Sequence, residues 1–136
     1  MKIRCSVLRP VSLSLMVAVS AMVGVKDAQA EPQVMHVEVS HYGGGGPNEC
    51  GKDRECHGAR TACGQVFNMY GISVAHKSLP CGTEVQFCYG SRCVVAKVTD
   101  RGPYVEGRSF DLSYGAARKL GIVEDGVARV MARIIN

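Results

Sequence analysis

Between positions 34 and 42 apolar and polar side chains alternate, with Met35, Val37 and Val39 set against His36, Glu38 and Ser40. A period of two is that of a strand with one buried face. The same period returns over 83–88, where Val85 and Phe87 share a face, and 93–98 reads as its hairpin partner across Tyr89-Gly90-Ser91-Arg92. Residues 73–76 form a shorter strand candidate. Residues 127–135 predict a last strand, with Ala128, Val130, Ala132 and Ile134 facing in and Arg129 and Arg133 facing out. One stretch changes period: Ser113 can cap a short helix through Leu120, with Ala116, Ala117 and Leu120 on one side and Gly121 as its stop. Residues 43–47 are rich in glycine and end in proline, and the polar stretch to Arg60 continues this loop. Short strands, Gly-rich turns and one small helix predict an all-β fold, a compact barrel. Neither an internal repeat nor a second domain is visible, and 136 residues is a one-domain length.

The first thirty residues follow another pattern. Lys2, Arg4 and Arg9 form a basic start, positions 11–25 are apolar, and Ala28-Gln29-Ala30 is a small-x-small cleavage site. These are the parts of a secretory signal peptide, and the apolar run is short for a spanning helix of about 20 residues. Cys5 precedes the apolar run, a poor place for lipidation. The expected division is residues 1–30 as signal peptide and 31–136 as the folded domain, exported to the periplasm or secreted. Cleavage also removes charge. The leader holds Lys2, Arg4, Arg9, Lys26 and Asp27, so of 16 basic and 12 acidic residues the mature chain keeps 12 and 11. A near-neutral chain without a clustered basic face gives no reason to expect nucleic acid. Membrane association after cleavage is likewise not expected, and the chain is expected to be a monomer.

Six cysteines remain in the mature chain. An even number in a small exported domain predicts a disulfide framework. Cys88 and Cys93 flank a tight turn and would face each other across a hairpin; Cys50 and Cys56 would close a small loop; Cys63–Cys81 is the remaining pair. Bridges of this kind contribute about 2–4 kcal/mol each. A metal site around Cys56 and His57 is the competing reading, but no paired CxxC spacing supports it, and neither metal nor cofactor is expected.

Chemistry concentrates at the end of the 93–98 strand, in "VVAKVTDRGPYVEGRSFDLS". Asp100 stands at the strand's end and the stiff Arg101-Gly102-Pro103 turn follows at once. A turn aspartate of this kind commonly caps its own loop or pairs with a neighbour such as Arg101. The wider context favours function. "HGARTACGQVFNMYGISVAHKSLPCGTEV", with Ser40-His41-Tyr42-Gly43 before it and Asp100-Arg101-Gly102-Pro103 and Asp111-Leu112-Ser113 after it, resembles the rare lipoprotein A family. More broadly the chain is similar to the double-psi β-barrel domains of expansins and barwin-like proteins. The resemblance runs from about Val37 to the C-terminus and implies a six-stranded double-psi β-barrel with one short helix, stapled by disulfides.

It also implies peptidoglycan glycan strands as partner and endolytic lytic transglycosylase activity. Such enzymes cut between N-acetylmuramic acid and N-acetylglucosamine and leave a 1,6-anhydro ring without using water. One carboxyl can protonate the leaving oxygen and then take the proton of the C6 hydroxyl; hydrolysis usually divides such work between two carboxyls. The family's turn aspartate corresponds to Asp100, the expected catalytic residue. A second family position, the glutamate of a Thr-Ala-Ser/Asn-Gly-Glu stretch, is glutamine here: Thr61-Ala62-Cys63-Gly64-Gln65. Gln65 can hydrogen-bond sugar hydroxyls but cannot exchange a proton at useful pH. The membrane-bound lytic transglycosylase A family resembles a single-aspartate enzyme, which implies that Asp100 alone can suffice. Tyr42, His76, Arg101 and Tyr104 are the further substrate-binding candidates, and Asp111 is expected to support the loop after Asp100. Glu84 is read as a solvated strand residue, and His36, His41 and His57 as surface residues. Two other readings stay open. In one, Gln65 marks a glycan-binding or wall-loosening module without catalysis. In the other, the chain is a barwin-like secreted effector or inhibitor with a protein partner.

Overall fold

The computed structural model of the chain describes residues 33–43 and 57–136. Its elements are β1 (Val34–Tyr42), β2 (Ser73–His76), β3 (Glu84–Tyr89), β4 (Arg92–Asp100), β5 (Phe110–Ser113), α1 (Tyr114–Leu120) and β6 (Val127–Ile134). The strands close into a barrel in the order β1-β5-β2-β4-β3-β6. The pairs β1–β5 and β2–β4 are parallel and the other four are antiparallel. Closure leaves no unpaired sheet edge. The expected all-β, six-stranded barrel with one short helix is therefore what the chain forms. The leader and the Cys50–Cys56 pair lie outside the described residues.

Alternation explains the core. Val39, Val85, Phe87, Val98 and Val130 are the inward members of their strands and are buried, with Leu120 and Ile122 closing over them from α1 and its exit. Phe87 and Phe110 meet edge to face, 5.0 Å between centroids, the arrangement their ring quadrupoles favour. The outward members of β6 behave differently from one another: Arg129 is exposed, whereas Arg133 is half-buried and donates from Nη2 to Gln86 Oε1 at 2.9 Å. Cys88 and Cys93 face each other in the β3–β4 register and are bridged, as are Cys63 and Cys81.

Two departures from the sequence pattern matter for the site. Strand β5 was not evident from periodicity. It is four residues long, and its last residue doubles as the helix cap, so no period can develop; pairing to β1 and β2 makes it a strand. Ser40, on the polar face of β1 by alternation, is 3% exposed. Its hydroxyl donates to Asp111 Oδ1 across the β1–β5 pair at 2.8 Å, which satisfies a group that would otherwise be buried alone.

Ser113 ties the lower part of the barrel together. Its Oγ accepts from Ala116 N–H (3.3 Å) as the helix cap and from Ser73 N–H (3.1 Å), and donates to Gly71 O (2.7 Å). Glycine at 115 permits this closeness, since a Cβ there would lie 2.2 Å from Tyr70 O. Ser113→Ala removes three bonds inside the protein and leaves their backbone partners unpaired. It is expected to lower unfolding free energy by about 2–4 kcal/mol, read as an earlier midpoint with unchanged slope in a urea titration.

Candidate functional site

Strand β2 is the middle of the functional end. On one side Ala75 pairs with Asp100 of β4, after an irregularity at Val74/Ala75 that skips Thr99; on the other it pairs with Asp111 of β5. The two carboxyls therefore flank one backbone position.

Asp100 is half-buried, and one oxygen holds it. Oδ1 accepts from Ala62 N–H and from Arg101 N–H, each at 2.9 Å. No hydrogen bond reaches Oδ2 among the described residues. With two N–H donors at Oδ1, an added proton belongs on Oδ2, the oxygen left for a ligand. The turn that follows begins with a cis Gly102–Pro103 peptide.

Asp111 is the more enclosed carboxyl. Burial pushes it above the usual carboxylate range, and the charge of Asp100 adds to the rise; the Ser40 hydroxyl, Arg108 and His41 act in the opposite sense. Its bond to Ser40 ties β5 to β1.

Gln65 is exposed, and its side chain makes no hydrogen bond among the described residues. Its loop folds on itself: Thr61 N–H donates to Gln65 O (2.8 Å), Gln65 N–H to Thr61 Oγ1 (3.3 Å) and Gly64 N–H to Thr61 O (2.9 Å), with Gly64 at φ +82°, where a side chain would be strained. Gln65, Asn68, Ser73, Lys97 and Thr99 line an open cleft of about 330 Å³. Asp100 does not line it, although its neighbour Thr99 does. Val66, Phe67, Gly71 and Ile72 complete a mixed lining, in which two carboxamides, two hydroxyls and one ammonium are groups suited to sugar hydroxyls and N-acetyl oxygens.

Three expectations need correction. Tyr42 is 6% exposed and stacked on Phe67 at 4.7 Å, so its ring faces are packed and cannot receive a sugar. Arg101 is turned toward the protein: Nη1 donates to Leu79 O (2.9 Å) and His76 O (3.3 Å), and Nη2 lies 3.4 Å from Cys81 Sγ. It braces the 76–81 segment. His41 is no surface residue; it is half-buried, with Nε2 3.2 Å from Val123 O and its ring edge-on to Tyr114.

His76 does not bond Asp100. Its Nδ1 accepts from Ser78 N–H (3.1 Å) and Leu79 N–H (2.9 Å), and its ring lies 4.5 Å from that of Phe110. Burial, then Arg101 and Lys77, lower its pKa from 6.5, consistent with an Nδ1 that must stay unprotonated to accept. Tyr104 is 82% exposed beside the turn and free to meet a ligand. Glu84 pairs at the surface with Lys97, 3.7 Å apart, and His36 and His57 are exposed. Among the described residues no three of His, Cys, Asp and Glu gather as a metal site, and no helix is long and apolar enough to cross a membrane. The sequence reading missed the Ala62 amide, because a backbone donor carries no residue-type signal.

The two shifted groups predict opposite pH effects. Asp111 binds its proton more tightly folded than unfolded. Its contribution is thus full below the ordinary carboxylate pKa and lost as pH rises through the raised value. Asp111→Asn stays neutral and still accepts from Ser40. It should melt above the wild type at pH 7, and the difference should vanish by about pH 3. His76 binds its proton less tightly folded, so its contribution is lost as pH falls below 6.5. Thermal melts should show a loss of stability on acidification from neutral pH that is smaller in His76→Gln.

Comparison with known proteins bears on the family and the fold. Residues 34–132 match the family described as lytic transglycolase. The probable endolytic peptidoglycan transglycosylase RlpA of Aquifex aeolicus is 42% identical over 107 residues, 77% of this chain and 43% of that protein. The endolytic peptidoglycan transglycosylase RlpA of Vibrio cholerae is 39% identical over 85 residues, 61% of this chain and 32% of that protein. The chain thus spans less than half the length of these relatives. Among solved structures, the Streptomyces papain inhibitor superposes with a TM-score of 0.59 at 22% identity, covering 76% of this chain and 96% of that one. The apo expansin of Clavibacter michiganensis gives 0.58 at 22%, covering 76% and 51%. At that identity these two speak for the fold alone. The family match over most of the described barrel, with relatives at about 40% identity, shows that this chain belongs to the lytic transglycolase family, as an RlpA-like double-psi β-barrel.

Proposed function

We propose that the chain is an exported endolytic lytic transglycosylase of peptidoglycan, with Asp100 as its acid and then its base. The observation that carries this is the carboxyl of Asp100, held through Oδ1 by two amides with Oδ2 unengaged among the described residues, in a barrel of this family. Protonated at Oδ2, Asp100 gives its proton to the glycosidic oxygen between N-acetylmuramic acid and N-acetylglucosamine. The C1–O bond breaks and positive charge develops at C1. The carboxylate then takes the C6 hydroxyl proton, O6 bonds to C1, and the 1,6-anhydro ring closes with no water consumed. The neighbouring Asp111 has its pKa raised, chiefly by burial. Gln65 and the cleft beside it hold the strand through carboxamide, hydroxyl and Lys97 ammonium hydrogen bonds, with Tyr104 and His76 Nε2 as further contacts. Export through cleavage after Ala30 and a monomeric mature chain complete the reading.

Gln65 favours a second reading, a glycan-binding module without turnover, since the family pattern has glutamate there. Digestion of purified sacculi separates the two. The wild type is expected to release 1,6-anhydro-muropeptides, identified by mass spectrometry, and Asp100→Asn to lower their rate by on the order of 10²–10⁴-fold. Unchanged release in Asp100→Asn overturns the assignment. Gln65→Glu should leave the rate within about threefold if one carboxyl suffices; product from that variant alone establishes the second reading.

A further inference from the structure

We propose that the Cys63–Cys81 bridge positions the catalytic carboxyl, by fixing the loop whose amide grips Asp100; this rests on the function proposed above for that carboxyl. The loop is a self-bonded finger. Gly58 N–H donates to Phe67 O and Phe67 N–H to Ala59 O, both at 2.8 Å, and Arg60 bridges to Val66. Phe67 roots it in a small cluster with Tyr42, Met69 and Ala75. Its tip reaches the end of β4 through two hydrogen bonds among the described residues: Ala62 N–H to Asp100 Oδ1 (2.9 Å) and Cys63 N–H to Thr99 O (3.3 Å). Ala62, Gly64 and Gln65 are exposed, so water competes for these bonds and their net hold is small.

The bridge supplies what they lack. Cys63 follows Ala62 directly, and Cys81 sits in a segment fixed to the barrel from several sides. Gly82 N–H donates to Val98 O (2.8 Å), Val98 N–H to Thr83 O (2.8 Å), and Arg101 Nη1 to Leu79 O (2.9 Å), while Arg101 Nη2 lies against Cys81 Sγ. Arg101 is also the residue whose N–H donates to Asp100 Oδ1. Both amides on the carboxyl therefore belong to one connected frame, and the bridge closes that frame through Cys63 and Cys81.

Cys88–Cys93 is the built-in control. It staples the other end of β4, seven residues from Asp100, or about 23 Å along an extended strand. The full chain is compared with the double variants Cys63→Ser/Cys81→Ser and Cys88→Ser/Cys93→Ser, each checked for folding by circular dichroism. The first is expected to speed amide exchange at Ala62 at least tenfold and to lower kcat for anhydro-product release by about 10–100-fold. Its KM and sacculus co-sedimentation should stay within about twofold. The second should leave all of these near wild type. Wild-type Ala62 exchange and kcat in folded Cys63→Ser/Cys81→Ser overturn the proposal, as does an equal kcat loss in both variants. If the wild type releases no anhydro product, the proposed function fails and Ala62 exchange alone decides the positioning role. If the first variant does not fold, the same readouts are taken on folded Cys88→Ser/Cys93→Ser protein before and after dithiothreitol. Each reduction moves two electrons, opening one bridge to two thiols as the dithiol closes to its cyclic disulfide. Faster Ala62 exchange after reduction, with Cys63 and Cys81 shown alkylated by mass spectrometry, supports the proposal, and unchanged exchange with both of these cysteines alkylated overturns it.

Discussion

At Ala75 a single backbone position of β2 meets Asp100 on one side and Asp111 on the other. Everything at the functional end depends on that register. Slipping a strand by one residue would turn its side chains to the opposite face, carrying one carboxyl into the core. The irregularity at Val74/Ala75 brings Asp100, and not Thr99, level with Ala75. The apolar alternation of β2 and β4 thus does two tasks. It fills the barrel with Val74 and Val98, and it sets where a carboxyl stands when the alternation ends.

Polar groups near that point are divided between holding and offering. Arg101 and Nδ1 of His76 are taken up by backbone groups of the 76–81 segment, and Ser40 by Asp111. What remains on offer is narrower: Oδ2 of Asp100, the Gln65 carboxamide and the exposed Tyr104. Preorganisation of this kind lets a carboxyl act without first reordering its surroundings. The opposite displacements of Asp111 and His76 belong to the same economy. Burial is the largest cause of both shifts and favours the neutral form of each.

Much of this was legible in the chain. Alternation marked β1, β3, β4 and β6, because each has enough residues for a period of two to show. The helix was marked by its cap and stop, Ser113 and Gly121, which the structure uses as such. Cys88 and Cys93 could be paired because a hairpin places its flanks face to face. Asp100 stood out through its place at a strand end before a Gly-Pro turn. Strand β5 was not legible: four residues carry too little pattern, and their strand character comes from partners far along the chain. Tyr42 and Arg101 were read as available because residue type cannot tell an exposed ring or guanidinium from one already engaged.

The sequence by itself determined the class of fold, the approximate course of its longer strands and the hairpin bridge Cys88–Cys93. These follow from local period and turn chemistry, which act over a few residues; Asp100 was singled out as a candidate acid by the family resemblance. Tertiary structure alone decided which oxygen of Asp100 is held and which is left. It also decided that Asp111 is half-buried beside Ser40 and that the loop of Ala62 lies against β4. Those outcomes join residues 38 to 71 positions apart. They are set by barrel closure, which no local pattern encodes.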